Sequence, residues 1–190
     1  MTVEEQRMVD DLVVLVDAAG TPIGEERKSQ VHTAFTPLHL AFSVYLFDGE
    51  GNVLMTRRAL SKLTWPGVWT NSCCGHQKRD EPPAQGVGRR THMELGLSIS
   101  DLRCVLPDFA YQARDASGVC ENEICPVFVG TAVEPARDLN PDRSEVMELT
   151  WVPWARLVAA VEATPFAFSP WCVKQIAALR ASDDPQVRLV

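Results

Sequence analysis

Residues Gly75–Leu97 read GHQKRDEPPAQGVGRRTHMELGL. From Glu81 onward the spacing predicts an amphipathic helix. Asp80 can cap it, and Pro82 and Pro83 suit its first turn. Ala84, Val87, Thr91 and Leu95 share one face, and Gly96 ends it.

On its N-terminal side, Ser61–His76 has Pro, Gly and Trp without a clean period. It predicts an irregular loop leading into a special site. Before that, His39–Phe47 (HLAFSVYLF) is a clear strand. Leu40, Phe42, Val44 and Leu46 fall on one face, and His39, Ala41, Ser43 and Tyr45 on the other. Asp48–Asn52 signals a hairpin and Val53–Arg57 its return strand. Asp11–Asp17 predicts a buried strand and an Ala-Gly-Thr-Pro turn. Residues 24–38 predict mostly loop or a short helix, closed by Pro37, and residues 1–10 a frayed polar tail. Beyond the central helix, Asn122–Gly130 predicts a strand with Pro126 marking an edge or bulge. Met147–Val152 predicts a strand, and Trp154–Glu162 and Pro170–Ala181 predict helices. Helices and strands intermix, so the class is α/β or α+β. No repeat or linker divides the chain, which predicts one domain over 1–190.

Composition narrows the partners. With 46% hydrophobic and 23% charged residues, the chain has the mix of a soluble globular protein. A formal charge of −7 argues against a nucleic-acid backbone as partner. It leaves room for an anionic ligand held by local Arg and Lys clusters or by metal ions. The six cysteines form no CxxC pair, and Cys73 and Cys74 are adjacent. The pattern is not a secreted disulfide framework, so a reduced, cytoplasmic protein is expected. The acidic N-terminus lacks the features of a signal peptide. No apolar run reaches the roughly 18 residues that span a membrane.

The chemistry gathers on few residues. Histidine occurs only at 32, 39, 76 and 92. Unrelated roles are the plainer reading of scattered histidines, but Glu121 and Glu123 shift the balance. Two apart in an extended segment, they put both carboxylates on one side of a sheet. Two like charges held together need a cation or a proton between them, unless they face solvent. His32, His39, His76, Glu121 and Glu123 together suit Mn²⁺, Mg²⁺ or Zn²⁺. The spacing matches no short zinc motif.

Gly75–Leu97 also resembles the Nudix pattern. Gly75, Glu81, Arg89, Glu94, Gly96 and Leu97 stand at matching positions, while Arg90 and Met93 replace two of its glutamates. In Nudix hydrolases those carboxylates hold the divalent ions that assist diphosphate cleavage. Their loss argues against a working pyrophosphohydrolase, and Glu94 remains to place one carboxylate near a metal. Other motifs extend the likeness: Thr70–His76 (TNSCCGH), Tyr111 with Glu121–Pro126 (ENEICP), His39–Ser43 (HLAFS), Arg57–Lys62 (RRALSK), Trp65–Trp69 (WPGVW) and Phe168–Trp171 (FSPW). In their order along the chain they resemble the type I isopentenyl-diphosphate isomerases, from about Val13 to about Ile176.

The resemblance implies a Nudix-like mixed sheet flanked by helices. It also implies an isomerase that moves a double bond between isopentenyl and dimethylallyl diphosphate through a tertiary carbocation. It implies Cys74 and Glu123 as the opposed acid and base, with Tyr111 assisting proton transfer and Trp171 stacking on the cation. His32, His39, His76, Glu121 and Glu123 would hold a first metal. A second ion, Mg²⁺, would join the substrate diphosphate to Glu94 and the Cys74 carbonyl. Lys28, Arg58, Lys62 and Arg90 would contact the diphosphate. Cys73 would be packing. A monomer acting on a small molecule, without nucleic acid or membrane, is expected. The competing readings are a Nudix-type hydrolase of nucleoside diphosphate derivatives and a metal-stabilised binding module without turnover.

Overall fold

The computed structural model describes residues 12–134 and 139–181, and the expected tail at 1–10 lies outside them. In chain order the elements are β1 (Leu12–Val16), β2 (Pro22–Arg27), α1 (Lys28–Val31), β3 (His39–Phe47), β4 (Asn52–Arg58), β5 (Trp69–Thr70), β6 (Cys73–His76), α2 (Pro83–Leu95), β7 (Ile99–Leu106), β8 (Ala110–Arg114), β9 (Cys120–Ile124), β10 (Val127–Ala132), β11 (Val146–Pro153), α3 (Trp154–Ala163) and α4 (Pro170–Ala181).

Everything is built around β3. It pairs antiparallel with β1, β4 and β6 and parallel with β9 and β10. Its near-continuous apolar run is what a strand covered on both faces requires. Phe42, Val44 and Leu46 pack with Val87 and Leu95 of α2. Ala41, Tyr45 and Phe47 pack with Leu157 and Val161 of α3 and Ile176 of α4. The period of two thus sends alternate side chains into two separate cores. The result is a mixed sheet between helical layers, as expected. The remaining strands extend it: β2 on β1, β11 and β5 on β4, β7 on β10 and β8 on β9.

Close approach of α2 explains two glycines. A Cβ at Gly86 would lie 2.9 Å from Phe42 Cε1, and one at Gly75 would lie 3.0 Å from Arg90 Cγ. Both distances are below ordinary contact, so helix and sheet meet backbone to side chain at these points.

Several sequence expectations need correction. The helix begins at Pro83, not Glu81, and Pro82 occupies the N-cap without a side-chain cap. Asp80 does not cap it but turns the chain with φ +58°. Glu81 instead accepts from Arg89 Nε at 2.7 Å and from the Lys78 N–H at 3.0 Å. Gly96 ends the helix as expected, left-handed at φ +67°, with its N–H on the His92 carbonyl. Val87, Thr91 and Leu95 are buried, whereas Ala84 in the first turn is exposed. The Asn122–Gly130 strand is two strands, broken at Cys125–Pro126, and the Pro126 carbonyl accepts from the Ser43 N–H at 3.1 Å. Part of 61–76 is strand rather than loop. β2, β7 and β8 lie where no strand was expected. These short or charged segments are made extended by their partners, not by an apolar period.

Candidate active site

The register of β3 assembles the site. Its odd-numbered side chains face the α3–α4 side. Across the β6 ladder Ala41 opposes His76 and Ser43 opposes Cys74. Across the parallel ladder His39 opposes Glu123. Tyr111 opposes Glu123 from the other side, on β8. Directly opposed residues point to the same face, so His39, His76, Cys74, Glu123 and Tyr111 converge. His32 enters from the end of α1, where its Nδ1 lies 3.3 Å from the Lys28 carbonyl.

The three imidazole centroids are 5.1–5.4 Å apart. One ligand atom from each of His32, His39, His76 and Glu123 lies within 4.8 Å of all the others. His39 Nδ1 donates to the Pro37 carbonyl at 2.9 Å. In the neutral ring its Nε2 is then a bare lone pair, 3.5 Å from Glu123 Oε1. His32 Nε2 likewise stands 3.0 Å from Glu121 Oε2, and neither atom has a hydrogen-bond partner among the described residues. Lone pairs buried against carboxylate oxygens require a proton or a metal cation between them. The donor set, three imidazoles and the Glu123 carboxylate, suits a divalent transition ion or Mg²⁺, and Glu121 lies outside that group of four but reaches it at His32. Protonation patterns show the same tension. Burial opposes charge on His39, but the Glu123 carboxylate beside it wins, so its pKa rises. Burial pushes His76 down to about 3. Burial would raise Glu123, but His39 and His76 hold it well below the ordinary carboxylate range.

A cavity of about 440 Å³ opens beside this cluster. It is lined by Cys74, Tyr111, Glu121, Glu123, His32, His76, Glu94, Trp171, Lys28, Arg58, Lys62 and Arg90. His39, wholly buried, stands behind it. Cys74 is half-buried, and burial lifts its thiol to about 12, so it rests protonated. Cys73 points to the opposite core beside Phe42 and Val44, as expected of a packing residue. Its sulfur lies 3.4 Å from Glu94 Oε2 and 3.9 Å from the Cys74 carbonyl, so these two oxygens are neighbours. Glu94 is outside the histidine group and hydrogen-bonds Arg90.

The basic residues divide. Lys62 and Arg90 converge on Glu145, and Lys28 feels the charges of both. Burial, Lys62 and Arg90 lower the Lys28 pKa. Arg58 takes another place: its guanidinium carbon lies 5.1 Å from the centroid of the Trp171 ring, and it donates twice to the Thr64 carbonyl. The Trp171 Nε1–H donates to Asn71 Oδ1 at 3.1 Å, which fixes the ring plane.

A NUDIX domain model matches residues 37–172. An isopentenyl-diphosphate Delta-isomerase of Mycolicibacterium vanbaalenii is 55% identical over 172 residues, covering 90% of this chain and 93% of its own. The protein of the same name from Frankia alni is 52% identical, covering 93% and 90%. The chain belongs to the isopentenyl-diphosphate Delta-isomerase family. At the level of fold, this family member is similar to a solved Deinococcus radiodurans protein, with TM-score 0.67 and 14% identity over 88% of this chain and 98% of the other. It is also similar to a MutT NUDIX hydrolase from Burkholderia pseudomallei, with TM-score 0.55 and 18% identity over 74% and 96%. The Nudix-like fold expected from Gly75–Leu97 is borne out.

Sequence reasoning passed over three residues of this isomerase-family site. Asn71, wholly buried, joins Trp171 to the Cys73 carbonyl. Thr64 donates to Glu121. Glu145 gathers the basic end. Asn71 falls inside the Thr70–His76 motif, but its partners do not show there, and Thr64 and Glu145 carry no local signal, because each is defined by what lies across the cavity. No helix of the described residues is long and apolar enough to cross a membrane.

Proposed function

We propose that this chain interconverts isopentenyl diphosphate and dimethylallyl diphosphate, with Cys74 and Glu123 as its proton-transferring pair. The observation that carries the reading is their convergence in one cavity whose other end is basic. Family membership supports the same chemistry.

Lys28, Lys62 and Arg90 bind the diphosphate, and Arg58 borders the reacting end against Trp171. Mg²⁺ is the ion expected with the diphosphate, near Glu94 and the Cys74 carbonyl, since Mg²⁺ takes most of its ligands from phosphate and water. His32, His39, His76, Glu121 and Glu123 hold a divalent ion, Mn²⁺, Zn²⁺ or Mg²⁺. When bound, that ion withdraws charge from a carboxyl and strengthens it as an acid.

The reaction adds a proton to the terminal alkene carbon and removes one from the methylene beside the resulting tertiary cation. Cys74 and Glu123 each exchange one of these protons, and Tyr111 relays through its hydroxyl beside Glu123. Because the reaction runs both ways, the group that delivers in one direction removes in the other. Trp171 turns its π face to the cation, a contact of about 2 kcal/mol when desolvated. The buried walls keep out water that would trap the cation. The enzyme works as a cytoplasmic monomer on this small molecule, with residues 1–190 as a single domain.

The test is proton NMR of the purified protein with isopentenyl diphosphate, Mg²⁺ and Mn²⁺ in D₂O. Growth of dimethylallyl signals with deuterium incorporation is expected. Unchanged substrate over a folded, metal-loaded protein would overturn the reading, and release of phosphate from a nucleoside diphosphate derivative would replace it with a hydrolase.

A further inference from the structure

We propose that Thr64 is a positioning residue that aims Glu121 at the divalent-ion site. The inference rests on reading the His/Glu cluster as a metal centre. Thr64 belongs to the loop between β4 and β5, yet it is only 4% exposed. Its Oγ1 lies 2.7 Å from Glu121 Oε1 and 3.2 Å from Arg58 Nη2. A guanidinium has donors only. The hydroxyl therefore accepts from Arg58, and its single hydrogen goes to Glu121. Charge on Arg58 polarises that O–H toward the carboxylate.

The consequence falls on the two oxygens of Glu121. Oε1 is tied from behind. Oε2 faces His32 Nε2 at 3.0 Å and has no hydrogen-bond partner among the described residues. One oxygen anchored and one presented is how an outer partner orients a ligating carboxylate. Arg58 does not depend on the hydroxyl, because its Nε and Nη2 donate to the Thr64 carbonyl at 3.1 and 2.8 Å. The backbone of the loop is thus held by Arg58, and the separate contribution of the hydroxyl is to Glu121.

Thr64→Val keeps the side-chain shape and removes only the hydroxyl. Thr64→Ser keeps the hydroxyl. Metal-stripped wild type, both variants and Glu121→Gln are titrated with Mn²⁺, with free ion read by electron paramagnetic resonance. Melting of the metal-free proteins is measured in parallel. Thr64→Val is expected to weaken Mn²⁺ binding by about 10- to 100-fold, approaching Glu121→Gln, and Thr64→Ser to restore most of the affinity. A merely structural role would lower the metal-free melting temperature and leave Mn²⁺ affinity unmoved. Thr64→Ala gives the same comparison if valine prevents folding. Wild-type affinity in the hydroxyl-free variants overturns the role of Thr64. Wild type that takes up no Mn²⁺ at all overturns the metal centre itself, and the role of Thr64 with it.

Discussion

His39 Nε2 stands 3.5 Å from Glu123 Oε1, and the two residues are direct partners across the β3–β9 parallel ladder. A backbone register therefore sets the distance between an imidazole and a carboxylate. His76 reaches the same oxygen at 3.7 Å from β6, on the other side of β3. Glu123 is held at the junction of three strands, where rotation is limited by packing on both sides.

Substituting this junction separates binding from turnover. Glu123→Gln keeps the shape and loses the negative charge and the exchangeable carboxyl. Turnover is expected to fall by about 10²–10⁴-fold, with weaker metal uptake. Metal analysis of the purified variant beside its kinetics checks both. The triple change of His32, His39 and His76 to Ala is expected to abolish metal retention, and stoichiometric metal in that variant would sink the assignment.

The adjacent cysteines are predicted to behave differently. Both residues border the cavity, but Cys74 is half-buried and shares the face of His76, whereas the Cys73 side chain is buried in the core against α2. Cys74→Ala is expected to lose isomerisation by about 10²–10⁴-fold while keeping its melting temperature near wild type. Cys73→Ala is expected to keep most of the activity and lose roughly 1 kcal/mol of stability. Steady-state rates and denaturant unfolding of both variants decide this.

Removing the metal should loosen the protein as well as silence it. Without a cation, the lone pairs of His32 and His39 face Glu121 and Glu123 directly. A ligand present at a hundred times its dissociation constant contributes about 2.7 kcal/mol. Chelation is expected to lower the melting temperature by several degrees, reversed by adding Mn²⁺. An unchanged melting curve after verified metal loss would contradict it.

Glu145 makes the basic end sensitive to acid. Burial would raise its carboxyl, but Lys62 and Lys28 pull it down to about 2 from the ordinary 4.5. A depressed folded-state pKa stabilises the fold above the unfolded value, and that contribution is lost as pH falls toward 2. Between about pH 4.5 and 2, wild type should lose stability more steeply than Glu145→Gln. Urea unfolding across that window measures the two slopes, and parallel slopes would refute the coupling.

Much of this molecule is local physics. The alternation in His39–Phe47 determined a strand with two distinct faces, and the structure sends those faces into two cores. Gly96 determined the end of α2, because left-handed backbone suits a residue without Cβ. Glu121 and Glu123 shared a face by period alone, and both are buried at the site. Boundaries that depend on a partner were not legible. Asp80 looks like a cap but lies in a turn, and β2, β5 and β6 are strands only because a neighbouring backbone pairs with them. The tertiary structure alone decided which lone pairs meet. Strand register brings His39, His76 and Glu123 together, and a loop carries Thr64 onto Glu121 and Arg58 onto Trp171. Sequence periodicity encodes which way a side chain points along its own element, whereas a coordination site depends on distances between elements, which only packing supplies.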